Sequence, residues 1–116
     1  MKVLIVEDNQ AMRRVIRQVV AEVADEITEC GDGSIACLLY RELQPDWVLM
    51  DIEMGEVNGI VATRRIKAEY PDARIIIVTN YNDEQLRETA KAAGACGYAL
   101  KENLLELPGL LQAGAG

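Results

Sequence analysis

Trp47-Val48-Leu49-Met50-Asp51 is an apolar run closed abruptly by one carboxylate. Four consecutive large apolar side chains, entered through Pro45-Asp46 and followed by a loop carrying Gly55 and Gly59, predict a strand covered on both faces. Asp51 then stands at the strand's carboxyl end. In open sheets built from strand-helix units that rim binds ligands, because the loops leave a crevice there and helix amino ends point into it. Other polar groups arrive at the same rim: Glu7 and Asp8 end the first apolar run, Thr79 ends the fourth, and Lys101 follows the fifth.

The flanking units follow from periodicity and punctuation. Lys2 to Val6 predicts a strand, and Asn9 caps a helix whose apolar face is Met12, Val15, Ile16, Val19, Val20 and Val23. Arg13, Arg14 and Arg17 fall on the other face, which is either solvated or a docking surface. Glu26 to Cys30 alternates acids with Ile27 and Thr28, suiting a strand near a sheet edge. After the Gly31-Asp32-Gly33 turn a helix capped by Ser34 runs to Leu43, with Ile35, Leu38, Leu39 and Leu43 inward, until Pro45 stops it. Gly59 to Tyr70 predicts a third helix, and Ile75 to Val78 is the most β-branched run, an interior parallel strand. Asp83 caps a helix to about Ala93 whose apolar stripe is thin, and Gly97 to Leu100 is a last short strand. Pro108 forbids a helix running through from Asn103, so the final helix starts late, near Leu105, or kinks, and the tail glycines Gly114 and Gly116 suggest fraying. Five strand-helix units without an internal repeat imply an α/β fold: a parallel sheet with helices on both faces.

At 116 residues the chain fits one domain, 1–116, with a core that needs neither disulfide nor metal. No apolar run approaches a membrane span, and Met1 to Asp8 turns acidic too early for a secretion signal, so the expected location is cytoplasmic. Cys30, Cys37 and Cys96 lack C-x-x-C spacing and read as buried free thiols. A net charge of -7 opposes nucleic-acid contact by this domain. The absence of histidine removes Ser-His and Cys-His catalysis and any imidazole metal ligand.

Glu7, Asp8 and Asp51 brought together repel one another, at about 4 kcal/mol for two carboxylates 4 Å apart in an effective dielectric of about 20. A hard divalent cation such as Mg²⁺ relieves this and prefers oxygen ligands. Lys101 adds a second positive charge and Thr79 a hydroxyl. Taken singly, each of these residues is more often a cap, a turn residue or a solvated charge. Jointly they surround one carboxylate with the groups a transferred phosphoryl needs, and that carboxylate can be the nucleophile.

Val6-Glu7-Asp8-Asn9, Met50-Asp51-Ile52-Glu53-Met54, Val78-Thr79-Asn80 and Gly97-Tyr98-Ala99-Leu100-Lys101 resemble the signature blocks of the response regulator receiver domain of two-component signalling. The resemblance spans nearly the whole chain, and the fifth-strand block is most similar to the subclass with a helix-turn-helix output. It implies a flavodoxin-like, doubly wound five-stranded sheet in the order 2-1-3-4-5 with five helices. It further implies that Asp51 accepts a phosphoryl group from a sensor histidine kinase or a phosphotransfer protein. Mg²⁺ would be held by Asp8, Asp51 and the backbone carbonyl of Glu53, with Glu7 assisting through a water. Lys101 and Thr79 would contact the phosphoryl group, and Thr79 and Tyr98 would act as the switch. The face of the fourth helix, fifth strand and fifth helix would change partners, a homodimer among them. The only catalysis expected is on the domain itself: self-phosphorylation from a donor and autodephosphorylation. The competing expectation is a Mg²⁺-dependent phosphohydrolase with an aspartyl-phosphate intermediate; a flavin-binding domain is weaker, since no Ser/Thr-rich phosphate loop follows the first strand.

The chain departs from the family pattern at four places. Gly55 replaces a proline, which would free the loop after Asp51; Asn80 replaces a small residue beside the phosphoryl site; and Glu102 follows Lys101 where many members have proline, so a cis bond there is in doubt. Glu53 adds an acid near the acceptor and, with Tyr81, occupies positions that tune dephosphorylation in relatives.

Overall fold

The computed structural model describes residues 1–54 and 57–113; the expectations placed on Gly55 and on the glycines of the tail lie outside the described residues. Along the chain run β1 (Lys2–Val6), α1 (Gln10–Val20), β2 (Glu26–Cys30), α2 (Gly33–Leu43), β3 (Trp47–Met50), α3 (Gly59–Glu69), β4 (Ile75–Thr79), α4 (Glu84–Ala93) and β5 (Gly97–Leu100). A 3₁₀ segment (Lys101–Glu106) and α5 (Leu107–Gln112) follow. The strands form one parallel sheet in the order β2-β1-β3-β4-β5. Strand β3 is interior, as its uniformly apolar sequence requires, and the acid-rich β2 lies at an edge.

The pleat of β3 divides the core in two. Val48 and Met50 join Leu4, Val6, Ile75 and Ile77 under Tyr40, Ile60, Ile66 and Ala90 of α2, α3 and α4. Trp47 and Leu49 face the other way, with Val3, Ile5, Ile76 and Val78, and are covered by Ile16 and Val20 of α1 and by Leu107 and Leu111 of α5. Four helices open on a capping side chain at the carboxyl rim. Asn9, Asp32, Asn58 and Asp83 accept from the amides of Met12, Ser34, Val61 and Leu86 at 2.9, 2.7, 2.9 and 3.1 Å. Each such cap is worth about 1 kcal/mol and fixes where a loop ends and its helix begins.

Several local expectations are corrected. Asp32, not Ser34, caps α2, because its carboxylate takes both the amide and the hydroxyl of Ser34. The inward stripe of α2 is Gly33, Ala36 and Tyr40, while Ile35 and Leu38 are exposed; side-chain size pointed to the wrong phase of the helix. Val15 is likewise exposed. No cysteine is fully buried: Cys30 and Cys37 are partly so and Cys96 is exposed. The chain turns after β5 through the 3₁₀ segment, kinked at Asn103, and α5 then begins at Leu107 with Pro108 in its first turn, where a missing amide costs nothing. No peptide bond among the described residues is cis, Lys101–Glu102 included.

Candidate functional site

Because β1 and β3 are neighbours in register, with Val6 beside Met50, the residues that follow them leave the sheet side by side. Asp51 donates its amide to the Val6 carbonyl at 2.9 Å, and Glu7 donates its own to Cys30 at 2.9 Å. Thr79 ends β4 and Lys101 follows β5 on the same rim. The result is a cleft of about 580 Å³ bordered by Glu7, Asp8, Asp51, Glu53, Thr79, Asn80, Tyr81 and Lys101. Glu7, Asp51 and Thr79 are buried, and Asp8 is exposed at the mouth.

One carboxylate oxygen from each of Glu7, Asp8 and Asp51 lies within 4.8 Å of the others. Lys101 Nζ stands 2.7 Å from Glu7 Oε1 and 3.2 Å from Asp51 Oδ1, bridging the two buried acids. Burial opposes the lysine's charge, but its contact with Glu7 and the field of Asp51 outweigh that and hold its pKa above the ordinary value. Asp51 is pushed up to about 7, first by loss of solvent and then by the charge of Glu7, with Lys101 pulling the other way. Three carboxylates with one ammonium leave excess negative charge at a site of hard oxygen donors. That donor set fits a hard divalent cation of the Mg²⁺ kind.

The surrounding contacts set the mouth of the cleft. The Tyr81 hydroxyl donates to Glu53 Oε1 at 2.6 Å, and the Tyr81 amide donates to Thr79 Oγ1 at 3.3 Å. That bond to Glu53 raises the Tyr81 phenol pKa. Tyr98 lies outside the cleft, half-buried on β5. Its hydroxyl donates to the Tyr81 carbonyl at 2.6 Å and the Arg87 guanidinium sits 4.4 Å from its ring centroid. Of the residues singled out in the sequence, Glu7, Asp8, Asp51, Glu53, Thr79 and Lys101 therefore meet in one cleft, and Tyr98 is joined to it through Tyr81.

Arg13 carries a role that its sequence context concealed. Its guanidinium donates to the Glu7 carbonyl at 2.8 Å and pairs with Glu29 at 3.3 Å, so it braces the turn that presents Glu7 and Asp8. Arg17 pairs with Glu29 as well, at 2.5 Å. The basic face of α1 is thus partly spent on β2, with Arg14 left in solvent. Cross-element pairing of this kind has no periodic signature.

The sequence profile of the response regulator receiver domain matches residues 3–111. The chain belongs to that family. This receiver is 38% identical over 100 residues to the chemotaxis protein CheY of Halobacterium salinarum, covering 86% of this chain and 83% of that one. It is 36% identical over 103 residues to the transcriptional regulatory protein DegU of Brevibacillus brevis, covering 87% of this chain and 44% of the relative. Among solved structures, a LuxR-family two-component response regulator from Aurantimonas sp. SI85-9A1 superposes with a TM-score of 0.91 at 32% identity, over 98% of this chain and 84% of that one. The receiver spans about half the length of several curated relatives it matches. The phosphohydrolase reading is not favoured: the family is that of two-component response regulators, and the candidate nucleophile follows the third strand. No helix among the described residues is long and apolar enough to cross a membrane.

Proposed function

We propose that this receiver takes a phosphoryl group from a sensor histidine kinase or a phosphotransfer protein onto Asp51, and that its only catalysis is on itself. The observation that carries this reading is the meeting of the Glu7, Asp8 and Asp51 oxygens within 4.8 Å beside the Lys101 ammonium. An Asp51 carboxylate oxygen attacks phosphorus; the new O–P bond forms as the bond from phosphorus to the donor nitrogen breaks, and the electron pair stays with the leaving imidazole. Asp8, Asp51 and the Glu53 carbonyl would hold Mg²⁺, with Glu7 assisting through a water. The ion supplies charge neutralisation for the phosphoryl oxygens. Lys101 exchanges its contact with Asp51 for the incoming anion, and Thr79 offers its hydroxyl to a second phosphoryl oxygen.

The same phosphoryl group biases a two-state element. Movement of Thr79 toward it disturbs the Tyr81 amide bonded to Thr79 Oγ1, and with it the carbonyl that Tyr98 holds. Tyr98 then turns inward, and the face of α4, β5 and α5 changes partners or pairs with a second copy. Similarity to transcriptional regulators about twice as long supports control of transcription through an output domain outside these residues, in the cytoplasm. With Mg²⁺ and acetyl phosphate, intact-mass measurement should show stoichiometric gain of one phosphoryl group. Asp51→Asn should show none, and unchanged labelling of that variant rejects the assignment.

A further inference from the structure

Gly33 opens α2, on a helix that contributes nothing to the acidic cleft, yet it is buried against the chain that closes the loop after Asp51. A Cβ placed there would stand 2.5 Å from the Val57 carbonyl oxygen, 2.9 Å from Val57 Cγ1 and 3.1 Å from Ala62 Cβ. The first of these is a backbone atom that cannot rotate away. The reason for glycine is not conformational, because Gly33 has ordinary helical backbone and alanine is intrinsically the better helix former. It is proximity.

Two residues beyond Val57, Gly59 is pressed on the acceptor itself. Its amide donates to the Ile52 carbonyl at 2.9 Å, and a Cβ there would fall 1.9 Å from the Asp51 carbonyl oxygen. Asn58, between them, is fixed by capping α3 through the Val61 amide. Val57 to Gly59 is therefore a short rigid link with the amino end of α2 on one side and the Asp51–Ile52 backbone on the other. Ile52 and Met54 are buried on either side of Glu53, and Gly59 bonds the Ile52 carbonyl directly, so a shift at Gly59 bears on the residues next to the acceptor.

We propose that Gly33 is a positioning residue for the cation site: lacking a side chain, it seats Val57 and, through Gly59, sets where the Asp51 carboxylate and the Glu53 carbonyl stand. This rests on the proposed Mg²⁺ site and names a residue remote from it that tunes it. A methyl at Gly33 displaces the link by several tenths of an ångström or more. The oxygens of Asp51 and Glu53 that would hold Mg²⁺ then stand displaced from Asp8, and a cation strict about its ligand positions would be held less tightly.

The test is Mg²⁺ affinity, read by calorimetry, together with phosphorylation by acetyl phosphate across Mg²⁺ concentrations. Gly33→Ala should weaken Mg²⁺ binding about tenfold while the phosphorylation level at saturating Mg²⁺ stays within twofold of wild type. Val57→Ala, a milder change to the other side of the same contact, should weaken it about threefold. Gly109→Ala, which has open space around it, and Ile66→Val, which loosens the same core away from the loop, should leave affinity unchanged. Folded Gly33→Ala with wild-type Mg²⁺ affinity overturns the proposal; if Gly33→Ala does not fold, wild-type affinity in Val57→Ala overturns it. Wild-type protein that takes up no Mg²⁺ refutes the cation site itself, an outcome distinct from either.

Discussion

Lys101 is the residue on which the tolerance of the cleft depends. With Glu7 almost wholly inaccessible at 1% exposure and Asp51 beside it, removing the ammonium leaves two buried acids facing each other without a counter-charge. Lys101→Met should lower stability by about 2–4 kcal/mol in urea unfolding without added metal, and Mg²⁺ should restore part of it. Asp51 carries a pH dependence of definite sign. Its carboxyl binds a proton up to about pH 7 in the folded chain but only up to its ordinary 3.8 when unfolded. Its contribution is therefore fully present below about pH 4 and is lost as pH rises through 7. A shift of this size is worth up to about 4 kcal/mol on a wholly buried group and about half that at the floor of an open cleft. The stability advantage of Asp51→Asn over wild type, in metal-free buffer, should accordingly grow by about 1 kcal/mol between pH 5 and pH 8 in paired urea titrations, since only part of the window from 3.8 to about 7 lies above pH 5. At this scale the acids, Thr79 and Lys101 were legible, since each closes an apolar run. Arg13 was not, because its work depends on Glu29 and the Glu7 carbonyl, sixteen and six positions away along the chain.

Among the helices, α4 is the one whose hold on the sheet is least. Only Ala90 and Ala93 are buried on it, with Leu86 partly so, and small side chains remove little apolar area from water. Hydrogen-deuterium exchange should find the α4 amides opening faster than those of α3, which buries Ile60, Ala62, Thr63 and Ile66, with rates in α4 changing on phosphorylation. The Tyr98 hydroxyl on the Tyr81 carbonyl and the Arg87 contact with the Tyr98 ring tie that helix to the cleft, so Tyr98→Phe should release the Tyr81 end of the link and keep the Arg87 end. Element types and their order could be read from period and punctuation because β3 and β4 up to Thr79 are apolar and four of the five helices begin at an Asn or Asp. What failed was the phase of α2. Gly33 faces the core because Val57 and Ala62 approach too closely for a side chain there, and a partner's distance leaves no mark on local hydrophobicity.

For the molecule as a whole, a charge of -7 spread over one small sheet-and-helix body repels polyanions at every approach. The isolated domain should show no retardation of duplex DNA in gels at low salt, where any electrostatic affinity would be strongest. The overall architecture was accessible from alternation alone; the strand order needed the family resemblance, because periodicity does not say which parallel strands are neighbours. That order also gives the site a history. Glu7, Asp8, Asp51 and Thr79 leave the ribosome well before the one ammonium that makes their company bearable, since Lys101 comes only after β5. A chain that stops short of β5 carries the acids without their counter-ion. In the folded domain the counter-charge thus reaches the two buried acids only from the far edge of the sheet.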